Sequence, residues 1–140
     1  MHPDEFKKQD NYELFVQRYA RGRSAATREL ERRVLGHDAR VNGYTTVEQA
    51  DALTARLELR PHQHLLDLGA GRGWPGSRIA AASSAVLIST DVPREGLRIA
   101  IADGAGAPAD LRHYAVAADG RALPFASASV DAAVHADVFC

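Results

Sequence analysis

The chain has 140 residues, with 17 lysines and arginines against 18 aspartates and glutamates and a formal net charge of −1. That length fits about one domain, small for an α/β enzyme, and the balanced charge gives no general field for nucleic acid or an anionic membrane, so neither partner is expected. Cys140, the single cysteine, leaves no intrachain disulfide and no cysteine-based zinc site, and no other metal site is expected; "MHPDEFKKQD" lacks the apolar core of a secretory signal, and no run approaches the roughly 20 apolar residues of a membrane span, so a cytoplasmic setting is expected.

The first dozen residues are polar and read as loose chain. "YELFVQRYA" then carries Leu14, Phe15 and Tyr19 at helical spacing. After Gly22, Ser24 can cap a second helix, "AATRELERRVL", which Gly36 would close in a left-handed conformation. Arg21, Arg23, Arg28, Arg32 and Arg33 suggest either a phosphate-binding patch or a solvated face; the Glu29 and Arg33 pair at i,i+4 favours the second. Residues 1–41 are read as an N-terminal helical extension and 42–140 as the core. In "NGYTTVEQADALTARLEL", Thr45 with Glu48 and Thr46 with Gln49 both fit a capping box, and Val47, Ala50, Leu53 and Leu57 line one helix face. Pro61 stops that helix.

From His64 onward strands alternate with helices. "HLLDL" reads as a strand, "PGSRIAAA" as a helix with Pro75 in its first turn, "AVLIST" as a second strand and "REGLRIAIA" as a second helix. "GAGAPAD" is a turn-rich break, followed by strands in "RHYAVAAD" and "VDAAVHADVF". Such alternation predicts a parallel sheet with right-handed crossovers. Ligands of such sheets lie beyond the carboxyl ends of the strands. Those ends carry Asp67 with Gly69, Gly71 and Gly73, then Asp91, then Asp119, then His135 to Asp137.

Glycines at alternate positions let a backbone turn tightly and approach a ligand closely. Gly71, Gly73 and Gly76 also form the spacing that places a pyrophosphate at a helix N-terminus. Charge separates the two candidate cofactors. A nicotinamide dinucleotide brings a doubly anionic pyrophosphate, whereas S-adenosylmethionine carries a net charge of about +1, which suits three strand-end carboxylates better. Each acid also has a structural alternative: Asp67 could tie down loop amides, Asp91 could cap the next helix, and Asp119 could be a turn residue before Gly120. Trp74 is read as a packing residue beside Pro75.

"LLDLGAGRG", "TDVP" and "AADGRALPF" resemble, in order, the cofactor motifs of the class I S-adenosylmethionine-dependent methyltransferases. The likeness is closest to the small-molecule group whose first motif reads Asp-x-Gly-x-Gly-x-Gly, and it runs from about Asn42 to the C-terminus. It implies a Rossmann-like α/β fold whose strand order, 3-2-1-4, is the first part of the family's 3-2-1-4-5-7-6. It also implies S-adenosyl-L-methionine as cofactor, with its methionine portion over Asp67, Gly69, Ala70 and Gly71, within a loop that includes Arg72 and Gly73. Arg72 would neutralise the cofactor carboxylate or stay solvated. Asp91, with Val92 beside it, would hold the ribose hydroxyls; Asp119 would accept from the adenine amino group, with the Gly120 amide near the ring. Carbonyls near His135 and Ala136 would meet the methionine ammonium, and Tyr44 would close over the cofactor. His135 is the candidate catalytic base.

The sequence departs from the pattern at Ala70, where many relatives have cysteine, and at Ala126, Ser127 and Val130, where proline, aspartate and phenylalanine are commoner. The resemblance implies in-line transfer of the cofactor methyl group to a small-molecule acceptor. A nicotinamide-dependent oxidoreductase and a noncatalytic cofactor-binding or interaction module are the alternatives. The sequence ends at or just after the fourth strand, so the chain reads as truncated relative to the family, and that strand would be a bare edge open to self-association.

Overall fold

The computed structural model describes residues 3–36, 38, 44–103, 110–136 and 138. The expected boundary at 41 and 42, most of the turn-rich stretch before Asp110, and Asp137 and Cys140 lie outside them. The first helix, α1, is Pro3–Ala20 and starts well before the expected Tyr12. Its opening residues include good helix formers such as glutamate, lysine and glutamine, which an apolar-spacing criterion does not detect.

Helix α2 is Ala25–Leu35, opened by Ser24, whose Oγ accepts from the Thr27 amide at 3.1 Å, and closed by Gly36 at φ +83°. Glu29 accepts from Arg33 at 2.9 Å, while Arg23 is paired with Glu31 and Asp38. These pairs, with Arg32 on Glu29, engage three of the five arginines with carboxylates. Of the two possible capping boxes for α3, Val47–Leu57, the structure forms that of Thr46 and Gln49.

Strand β1 is His64–Leu68, α4 is Gly76–Ser83, β2 is Val86–Asp91, α5 is Arg94–Asp103, β3 is His113–Ala117 and β4 is Ala132–His135. Pro75 stands at the N-cap of α4, one place before the expected first turn. The four strands form one parallel sheet in the order β3-β2-β1-β4. Two right-handed crossovers stepping the same way put α4 and α5 on one face, and the chain then returns to the other side of β1 as β4. Leu68 is level with Thr90 and His135 in this register, and Asp91 with Ala117, so the carboxyl ends share a rim.

The core lies between that sheet face and α4: Leu65, Leu87 and Val134 pack with Ile79, Ala80 and Ala85, and Leu53 and Leu57 of α3 close it from outside. Among the described residues no helix is long and apolar enough to cross a membrane, and no group of three or more potential ligands is placed to hold a metal ion.

A polar pair sits in the same sheet. Ser89, wholly buried, lies 2.8 Å from Nε2 of His113, and burial pushes that imidazole below its ordinary value of 6.5. Because the folded state disfavours the charged ring, its contribution to stability is complete above the unfolded value and declines as pH falls below it. The wild type should therefore lose stability relative to His113→Gln between pH 7.5 and pH 5, read as a widening gap in urea midpoints. Parallel midpoints would contradict this.

Candidate functional site

The loop after β1 turns in a way that its glycines permit, with φ of +66° at Gly69, +53° at Gly71 and +95° at Gly73. Its amides are consumed locally. The Ala70 amide donates to the Thr90 carbonyl at 2.9 Å, Gly73 to the Ala70 carbonyl at 2.8 Å, and Gly71 to Asp91 Oδ2 at 2.9 Å. The Gly76 amide, at the start of α4, lies beside the Asp67 carboxyl and favours its charged form.

Asp67 does not open onto the rim. It is 1% exposed, behind the loop, with Oδ2 lacking a partner. Burial, reinforced by the nearby Asp91 charge and opposed by the Gly76 amide, pushes its carboxyl up to about 8. Its oxygen occupies the space that a side chain at Gly76 would fill: a Cβ there would lie 2.2 Å from Oδ2. Gly76 is thus required by the close approach of strand and helix.

Asp91 closes β2 with three donors in place. Oδ1 accepts from the Val92 amide at 2.7 Å, and Oδ2 accepts from the Gly71 amide and from the Tyr19 hydroxyl at 3.1 Å. Burial raises this carboxyl from its ordinary value while the three donors oppose the shift. Val92 itself is 49% exposed beside it.

Asp119 shows the turn geometry that sequence left as its alternative. Its Oδ1 accepts from the Arg121 amide at 3.0 Å, its carbonyl accepts from Ala122, and the Arg121 guanidinium is paired with the carboxylate. Gly120 next to it is exposed, with open space where a side chain would be. His135 is exposed at the end of β4 and Ala136 follows it partly buried.

Arg72 and Tyr44 stand away from the rim. Arg72 is 8% exposed and turned toward α1: its Nη2 lies 3.2, 2.8 and 3.1 Å from the carbonyls of Arg18, Tyr19 and Arg21. A cation there satisfies carbonyl groups left over at a helix C-terminus. Tyr44 is 85% exposed and lines a hollow along α3 with Gln49, Leu53 and Arg56 instead of covering the loop. Trp74 does pack as expected, against Ala50 and Val47, and its indole N–H donates to the Thr45 carbonyl at 2.8 Å.

Residues 66–140 match the methyltransferase domain family. The chain belongs to that family. No curated protein matches it in sequence. Among solved structures, a methyltransferase from Thiobacillus denitrificans in complex with S-adenosyl-L-homocysteine is 24% identical, with a TM-score of 0.53 over 64% of this chain and 36% of that one. The Haemonchus contortus phosphoethanolamine N-methyltransferase 2 is 18% identical, with a TM-score of 0.64 over 80% of this chain and 26% of that one. A Haloferax volcanii methyltransferase, solved with its Trm112 activator, is 20% identical, with a TM-score of 0.58 over 86% and 46%. This methyltransferase domain therefore spans less than half the length of each of these three.

Sequence reading did not single out Tyr19 as a site residue of the domain. It lies 72 residues from Asp91, and its only sequence signal is a place on the apolar stripe of α1. Val138 was missed too; it lies against Gly69, where a Cβ would come within 2.5 Å of its Cγ2.

Proposed function

We propose that this methyltransferase domain binds S-adenosyl-L-methionine along the rim formed by the glycine loop, Asp91 and the Asp119–Gly120 turn, and serves methyl transfer to a small-molecule acceptor. One observation carries the reading. The amide of Gly71, which a pyrophosphate at this helix N-terminus would need, already donates to Asp91. A loop whose Ala70, Gly71 and Gly73 amides are all engaged within the protein offers few donors to an anion and suits a cationic ligand. The S-adenosyl-L-homocysteine held by the Thiobacillus denitrificans protein agrees with it.

In this reading Asp91 accepts from the ribose, and Gly120 leaves room for the adenine beside its amide. Asp119 would first have to share its carboxylate with Arg121. Gly69, Ala70, Gly71 and Gly73 shape the floor, Val92 flanks the ribose, and Asp67 acts from behind by fixing β1 to α4. Arg72 acts through α1, and Tyr44 reaches the cofactor only by turning inward from α3. When bound, the cofactor supplies a methyl group activated by its sulfonium. The chain's own contribution is alignment and exclusion of water, with His135, at the carboxyl end of β4, the candidate to take a proton from an acceptor that carries one.

Calorimetric titration of the 140-residue chain with S-adenosylmethionine, with NAD in parallel, tests this. Saturable binding of the first alone is expected. Asp91→Ala, checked for folding by circular dichroism, should weaken it by roughly tenfold or more, as loss of a charge-assisted hydrogen bond implies. Binding of NAD alone would overturn the proposal.

A further inference from the structure

The acceptor capacity of Asp91 limits what it can bind. A carboxylate offers about two acceptor positions on each oxygen. On Oδ2 both are taken, by the Gly71 amide at 2.9 Å and the Tyr19 hydroxyl at 3.1 Å, while among the described residues Oδ1 takes only the Val92 amide. A ribose presents two neighbouring hydroxyls, and a carboxylate that receives both uses both oxygens. With Tyr19 in place, one of those hydroxyls has no acceptor.

The Tyr19 hydroxyl cannot swing aside freely. Tyr19 is 5% exposed, and its ring is wedged between two glycines: a Cβ on Gly71 would lie 3.0 Å from its hydroxyl, and one on Gly96 3.1 Å from its Cε2. The last turn of α1 is also held by Arg72, whose Nη2 lies 2.8 Å from the Tyr19 carbonyl. Side chain and backbone of Tyr19 are thus tethered to the same loop, and releasing the hydroxyl requires the end of the helix to shift. The glycine loop and α5 supply the notch, Arg72 the latch, and Asp91 the contested acceptor.

We propose that the last turn of α1 is a gate on the nucleoside site, in which the Tyr19 hydroxyl occupies the acceptor that a ribose hydroxyl needs and the nucleoside enters by displacing it. This rests on the cofactor reading given above. The gate makes binding a competition within the chain: an exchange of one hydroxyl for another on the same oxygen, coupled to loosening of α1.

Tyr19→Phe tests it because it keeps the ring in the notch and removes only the competitor. Calorimetry with S-adenosylmethionine should show Tyr19→Phe binding about tenfold tighter than the wild type, since one charge-assisted hydrogen bond no longer has to be broken. Amide hydrogen exchange of the wild type should accelerate around Arg18–Arg21 when the cofactor is added. Binding by Tyr19→Phe alone would also support the gate. Equal or weaker binding by Tyr19→Phe would overturn it and make Tyr19 a residue that positions Asp91, leaving the cofactor reading standing; so would unchanged or slowed exchange in the wild type. Failure of both folded proteins to bind would overturn the cofactor reading, and the gate with it.

Discussion

Alanine at position 76 is expected to destabilise the chain by about 3 kcal/mol, the upper part of the range for overpacking a buried site. The added Cβ would lie 2.2 Å from Oδ2, 2.8 Å from Cγ and 2.9 Å from Cβ of Asp67. That side chain belongs to β1, which is hydrogen-bonded to β2 on one side and β4 on the other, so it cannot retreat without disturbing the sheet. The better helix propensity of alanine opposes the loss by about 1 kcal/mol at most. Urea denaturation of Gly76→Ala against the wild type reads the net effect. Adding Asp67→Ala removes the two shortest of these contacts, so the double variant should be more stable than the sum of the two single losses predicts. An unchanged midpoint for Gly76→Ala would show that helix and strand have room to separate.

Asp67→Asn should become progressively more stable than the wild type as pH rises. The folded-state value of Asp67, about 8, lies above the ordinary 3.8, so the folded chain holds this proton more tightly than the unfolded chain does. Its favourable contribution is complete below the unfolded value and is lost as pH rises through the folded one. Asparagine keeps the shape and has no proton to lose. The gap between variant and wild type therefore grows from about pH 4 to about pH 8, reaching a few kcal/mol, and then levels off. Unfolding midpoints across that interval give the slope. A constant gap would mean that Asp67 is ionised in the folded chain and finds a donor for Oδ2.

The sheet was readable because its signals are local. The run from His64 to Leu68 is apolar apart from His64 and one acid, with Pro61 before it and Gly69 after it, and its limits are those of β1. β3 and β4 are shorter than the stretches that suggested them, since pairing stops where the chain leaves the parallel ladder. Local logic also explains the failures. The opening of α1 has few apolar residues for a periodicity to register, and Thr45 and Thr46 were equivalent until the backbone chose the second.

The glycine loop and the rim acids were legible in the same way, as a motif with fixed spacing. Their partners were not. Arg72 could be assigned to a ligand carboxylate or to solvent, because nothing near it in sequence shows that a helix terminus more than fifty residues earlier docks on it. Tyr19 looked like one more residue of an amphipathic stripe. What distinguishes it is the gap left by Gly71 and Gly96, which exists only after α1, the loop and α5 have come together. Asp119 had a visible competitor two positions away in Arg121, and the turn brought the pair into contact.

Trp74 is the single tryptophan of the chain, and it stands in the glycine loop with its indole N–H on the Thr45 carbonyl. Its fluorescence is consequently a local signal from the glycine loop. A shift of its emission toward longer wavelength reports water reaching the loop, and the speed of that change times the loop's motion without any attached dye.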